Sequence, residues 1–198
     1  MTVVLIDSGG ANIGSVQYAL ERLGVQAPVS RDADEIRRAE RVILPGVGAA
    51  APAMRRLREL DLVELLRSLT QPVLGICLGM QLLYEYSEEG GVECLGLLPG
   101  RVRRLAPRPG VRVPHMGWNH LAPQRESRLS QGLTPQSQAY FVHGYAVPVG
   151  PECVTRCEHG DAFAAMVERG NVMGAQFHPE RSGTVGARVL ANFLGVTA

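Results

Sequence analysis

Short apolar runs alternate along the first half of the chain with stretches in which apolar positions recur every three or four residues. Residues 3–6, 25–29, 41–44 and 73–76 read as buried strands. Between the first two, Ile13, Val16, Ala19, Leu20 and Leu23 mark one helical face, with Asn12 placed as N-cap and Gly24 as stop. Asp32 and Glu35 make a capping-box-like start to a short helix. From about residue 52 to 69, Met54, Leu57, Leu60, Val63, Leu65, Leu66 and Leu69 trace an amphipathic stripe with Arg55, Arg56, Arg58 and Glu59 outward. Asp61 followed by Glu64 divides this stripe into two helices. Repeated strand–turn–helix units predict an α/β fold.

The second half reads differently. Residues 95–138 are rich in Pro, Gly and Arg and weak in helical periodicity, which predicts short strands and loops. Residues 139–147 alternate as a strand with a bend at His143-Gly144-Tyr145. Residues 152–157, 162–168 and 171–177 read as further strands, with turns at 158–161 and 169–171, and a helix over 184–194 closes the chain. Pro114 to Asn119 reads as a loop holding a proline, a histidine and the single tryptophan, Trp118. Such a cluster is a docking candidate, although a lone Trp is more often core.

At 198 residues the prior is one domain, 1–198, with one core. The net charge of +1 offers no basic field for nucleic acid. Arg101, Arg103, Arg104, Arg108 and Arg112 fit a solvated strand face at least as well as a partner surface. All 20 cationic side chains are arginine, which excludes a lysine Schiff base and a P-loop. No signal peptide or membrane span is expected. The four cysteines lack Cys-x-x-Cys spacing and are expected as reduced thiols of a cytoplasmic protein. His115 and His120 lack the spacing of a helical zinc pair, and neither metal nor cofactor is expected.

The candidate chemistry centres on Gly75-Ile76-Cys77-Leu78-Gly79. The apolar strand runs straight into Leu78, Met80, Leu82, Leu83 and Tyr84, read as a helix reaching toward 87–91, so Cys77 falls on a very tight turn. A cysteine framed by glycines two residues to either side has the spacing of a nucleophile elbow. A helix N-terminus there favours the thiolate. An inert core cysteine is the alternative. Farther on, His178 precedes proline and is biased to extended backbone, where Glu180, two residues along, lies on the side of the imidazole. Cys, His and Glu so arranged form a nucleophile, base and orienter. Leu44-Pro45-Gly46-Val47-Gly48 ends a strand at the sheet's carboxyl edge, where amides can receive an oxyanion or where the chain simply turns. Gln81, one helical turn after Cys77, is placed to look into the same cleft.

Gly-Ile-Cys-Leu-Gly-Met-Gln together with Phe177-His178-Pro179-Glu180 resembles the class I, triad-type glutamine amidotransferases. The stretches 44–48, 113–119 (Val-Pro-His-Met-Gly-Trp-Asn) and 140–143 narrow the resemblance to the glutaminase subunits of imidazole glycerol phosphate synthases. It implies an open, mostly parallel central sheet flanked by helices, with a Cys nucleophile elbow. It also implies a Cys77-His178-Glu180 triad that releases ammonia from glutamine through a glutamyl thioester. Backbone of Val47, Gly48 and Leu78 would supply the oxyanion hole, Gly48 letting its peptide turn between two orientations. Gly46, Gln81, Glu89, His143, Gly144 and Tyr145 would hold glutamine. Met116, Trp118, Asn119, Tyr140 and Arg181 would face the partner, a (β/α)₈-barrel cyclase subunit of histidine biosynthesis. The chain departs from the family pattern at Ser8, Ala11, Gly144 and Arg181. Rival readings are another class I glutaminase with a different acceptor, or a silent regulatory subunit.

Overall fold

The computed structural model describes residues 1–9 and 12–197. In chain order the elements are β1 (Val3–Ile6), α1 (Ile13–Glu21), β2 (Val29–Ser30), α2 (Ala33–Arg38), β3 (Arg41–Gly46), α3 (Ala50–Glu59), α4 (Leu62–Ser68), β4 (Val73–Cys77) and α5 (Leu78–Leu82). There follow β5 (Tyr84–Ser87), β6 (Val92–Glu93), β7 (Leu98–Arg104), β8 (His115–His120), β9 (Ala122–Pro123), β10 (Gln138–His143) and β11 (Tyr145–Ala146). The chain ends with β12 (Cys153–His159), β13 (Asp161–Arg169), β14 (Val172–Ala175), a 3₁₀ turn (Pro179–Arg181) and α6 (Gly183–Leu194).

The main sheet has the order β2-β1-β3-β4-β14-β13-β12-β9. It is parallel from β2 to β14 and antiparallel beyond. Alternation of side chains along each parallel strand divides the core in two. Val3 and Leu5 of β1, with Ile43 and Leu74, pack on Val16 and Leu20 of α1 and Leu190 and Phe193 of α6. Val4 and Ile6, with Val42 and Leu44, pack on Ile36, Met54, Leu57, Leu65 and Met80 of α2 to α5. Covering both faces is what lets these strands be apolar throughout.

Several boundaries differ from the sequence expectation. The strand expected at 25–29 is only β2; Val25 and Ala27 are buried in the loop before it. At α2 the Asp32 carboxylate accepts from the Asp34 and Glu35 amides. Glu35 turns to the Ser30 hydroxyl at 2.5 Å instead of closing the box. Asp61 does separate two helices, but through a left-handed backbone (φ 54) with no side-chain cap. The helix after Cys77 is only five residues, and Tyr84–Ser87 is a strand held between β6 and β7. The expected loop at 114–119 is largely β8, paired with β10 in a separate two-stranded ribbon. The strand expected over 139–147 breaks at Gly144, and its second part, β11, joins β7 in a third sheet.

Candidate active site

β3, β4 and β14 end side by side, with Gly46 opposite Cys77 and Ala175 opposite Ile76. Cys77 has φ 54 and ψ −111, a positive-φ conformation uncommon for a residue with a Cβ. The flanking glycines explain how the turn closes. A Cβ on Gly75 would lie 2.6 Å from the Gly79 carbonyl and the Met80 amide, and one on Gly46 would lie 2.8 Å from the Gly79 amide. They let α5 sit directly on the strands, so their role is close backbone packing.

The chain re-enters the site along β14. His178 has φ −97 and ψ 97, as expected before proline. Its Nδ1 is 2.8 Å from Glu180 Oε1. The expected pairing is present, but the reason differs: Pro179 to Arg181 form a 3₁₀ turn that folds Glu180 back under the ring, so strand alternation is not what aligns them. Burial lowers the imidazole's proton affinity, yet its hydrogen bonds to Cys77 and Glu180 outweigh this and raise it to about 10. With Nδ1 committed to Glu180, Nε2 is left for the thiol. An imidazolium held beside sulfur favours the thiolate.

A cleft of about 290 Å³ opens over Cys77 and His178. Val47, Gly48 and Leu78 line one side, and His143, Gly144 and Tyr145 another. Gly48 has φ 95 with open space where a Cβ would be, so conformation, not room, calls for glycine there. Glu89 also lines the cleft, accepts from the Ala50 amide at 3.0 Å, and has its carboxyl held above the ordinary value chiefly by burial. Gln81 lines it too, but its amide nitrogen is spent on the Tyr145 carbonyl (2.9 Å) and Gln176 Oε1 (3.0 Å). Gly46 lies beneath the elbow and is not among the lining residues.

Two residues the sequence reading did not assign to the site belong to it by contact. Gln176, fully buried, points Nε2 at Cys77 Sγ (3.8 Å). Its signal was a lone amide inside an apolar run. Asn12, placed as an N-cap, makes no cap and donates to Glu180 Oε1 at 2.7 Å.

On β8, Met116 and Trp118 are 64% and 56% exposed, so this tryptophan is surface, not core. Trp118 packs edge-on against Tyr140, its cross-strand partner. Arg181 is exposed beside the triad, whereas the Asn119 amide turns inward to the Glu158 carbonyl at 2.8 Å. Behind this ribbon His143 donates from Nδ1 to the Tyr145 carbonyl (2.8 Å), and its Nε2 meets His115 Nδ1 at 3.0 Å. His115 also stacks on His159.

Burial, reinforced by the neighbouring imidazole of His159, lowers His115 to about 4. Burial, with His115, His159 and His178 nearby, lowers His143 to about 3 against the opposing Tyr145 bond. Unfolded, each titrates near 6.5, so below that pH the unfolded chain binds protons the folded one refuses. Stability should therefore fall as pH drops from about 6.5 toward 4, by up to about 1.4 kcal/mol per pH unit for each ring. His178 adds no slope there, since its contribution is full below 6.5 and is lost only as pH rises toward 10. Urea unfolding from pH 7 to 4.5 should show a shallower slope in His115→Gln; equal slopes would refute this origin.

Among the described residues no group of three or more His, Cys, Asp or Glu is arranged to hold a metal, and no helix is long and apolar enough to cross a membrane.

A family model for glutamine amidotransferase class-I matches residues 4–196. The chain is 65% identical over 192 residues to the imidazole glycerol phosphate synthase subunit HisH of Xanthomonas euvesicatoria pv. vesicatoria, covering 97% of this chain and 96% of that protein. It is 59% identical over 196 residues to the subunit of the same name from Xylella fastidiosa, covering 99% and 98%. A crystal structure of a glutamine amidotransferase superposes with a TM-score of 0.76 at 22% identity over 97% of both chains, a likeness of fold.

Proposed function

Given that the chain belongs to the class I glutamine amidotransferases and, within them, to the HisH subunits of imidazole glycerol phosphate synthase, we propose that its cleft generates ammonia for a docked cyclase subunit. It is a glutaminase subunit of histidine biosynthesis. The observation that carries the site assignment is Cys77 on its elbow beside a His178–Glu180 pair at 2.8 Å, both facing the cleft lined by Val47, Gly48 and Leu78.

The Cys77 thiolate attacks the carboxamide carbon of glutamine, and the negative charge moves to the carbonyl oxygen. Amides at Val47–Gly48 and Leu78 receive it, an effect worth about 3 to 4 kcal/mol per donor. The imidazolium of His178 passes its proton to the leaving nitrogen, the C–N bond breaks, and ammonia departs from a glutamyl thioester. His178, now neutral, takes a proton from water as it adds to the thioester; collapse returns thiolate and glutamate. Glu180 holds the ring through Nδ1 during both transfers. Glu89 suits the substrate ammonium, and backbone at 143–145 suits its carboxylate. The whole chain, 1–198, serves as one amidotransferase domain.

Ammonia released into neutral water is protonated and loses its nucleophilicity, so the product requires a covered exit. Met116, Trp118 and Tyr140, with the exposed Arg181 next to Glu180 in the chain, supply an apolar patch and a cation for a (β/α)₈-barrel partner. The setting is the cytoplasm, where a thiol nucleophile stays reduced.

Glutamate release should be weak for the chain alone and rise about 5- to 150-fold with the cyclase subunit and its nucleotide ligand, the span of ordinary coupling energies. Strong activity indifferent to the partner would keep the glutaminase and refute the channelled assembly.

A further inference from the structure

Asn12 stands at the N-cap of α1 with φ 85 and ψ 0. Asparagine is favoured at N-caps because its side-chain oxygen accepts from an amide of the first turn. Here no such bond forms. The side chain instead spans 168 positions of sequence to donate from Nδ2 to Glu180 Oε1 at 2.7 Å. That same oxygen accepts from His178 Nδ1 at 2.8 Å. The Glu180 side chain has no solvent exposure, so water does not replace a missing donor at Oε1. Oε2 is buried with no partner, so the two bonds at Oε1 are what hold this carboxylate in place.

We propose that Asn12 is a positioning residue of the triad, its amide anchoring the Glu180 carboxylate so that Oε1 remains in line with His178 Nδ1. The local structure around Asn12 supports this. Asparagine tolerates φ 85 better than most residues with a Cβ, but the turn makes no use of its amide, and a residue serving the helix would cap it. Asn12 gives up the cap and keeps a left-handed backbone while reaching the Glu180 carboxylate. The amide fixes the carboxylate, and the carboxylate in turn supports the His178 imidazolium beside Cys77.

This inference rests on the glutaminase reading, and the experiment separates the two. Asn12→Gly preserves the backbone conformation and loses only a few tenths as a cap, so it removes little except the amide. Its glutaminase kcat, measured with the liganded cyclase partner, should fall roughly 10- to 100-fold, the range for a hydrogen bond to a charged group. The KM for glutamine should stay within about twofold, because Asn12 touches no substrate-facing group. The pH profile of Cys77 alkylation by iodoacetamide, followed site by site by mass spectrometry in the free protein, should shift its ascending limb to higher pH. A carboxylate no longer held in line gives the His178 imidazolium beside Cys77 weaker support. An Asn12→Gly protein with native kcat and a native alkylation profile would reduce Asn12 to a turn residue. If the unmodified chain released no glutamate with any partner, the glutaminase reading would fail, while the alkylation shift would still decide the role of Asn12.

Discussion

Cys77→Ser should abolish glutamine hydrolysis, a loss of roughly 10⁴- to 10⁶-fold in kcat, with the fold intact. The loss follows from what the site can ionise. His178 is held protonated beside residue 77 by Glu180 and by the thiol itself. Substitution removes the thiol's share of that support, and the ring is left to deprotonate a hydroxyl far less acidic than a thiol, so very little nucleophile forms. Removing one member of a catalytic triad costs nearly as much as removing the whole unit, which sets the magnitude. The fold should persist because serine is smaller than cysteine and no bulkier at Cβ, so φ 54 is no more strained than before. Glutamate release with the partner present would be measured beside the urea midpoint. Residual turnover above about 1% in a folded protein would mean that sulfur is not the nucleophile.

The site was legible where chemistry is carried by contiguous residues. Gly75-Ile76-Cys77-Leu78-Gly79 announced an elbow, and His178-Pro179-Glu180 announced a base and its orienter. The geometry behind the second motif was not legible, because whether three residues continue a strand or close a 3₁₀ turn depends on what packs against them. The same limit explains the short α5. Leu78 to Tyr84 suits a helix by apolar spacing, yet Tyr84 is claimed by β7, a strand beginning fourteen residues later. Likewise 114–119 looked like a loop because the partner that makes β8 a strand, β10, lies some twenty residues downstream. Asn12 and Gln176 escaped for a related reason: each reaches a member of the proposed triad, Glu180 or Cys77, brought near only by the folded sheet. The parallel half of the sheet, by contrast, was written in its alternating apolar runs and helical stripes, which are local signals.

Gly79→Ala should cost about 3 kcal/mol or more in stability. Its Cβ would sit 1.8 Å from the Leu44 carbonyl oxygen and 2.9 Å from the carbonyl carbon. Those atoms belong to the backbone of β3, which is hydrogen-bonded on both sides, by β1 and β4, so it has no rotamer with which to yield. Overpacking a core costs about 1 to 3 kcal/mol even when side chains absorb it, and backbone absorbs less. Against a typical total of about 5 to 15 kcal/mol, the variant stays near the edge of folding. Relief requires α5 to lift off the sheet, which carries the Leu78 amide away from the place where charge develops, so turnover should fall further than stability alone accounts for. Gly14→Ala is the internal control: it lies in α1 with no atom within 4 Å of the added Cβ, and alanine there should stabilise by about 0.5 kcal/mol. Urea midpoints of the two variants should move in opposite directions, and a Gly79→Ala midpoint equal to that of the unmodified chain would show that β3 and α5 are not locked together by this contact.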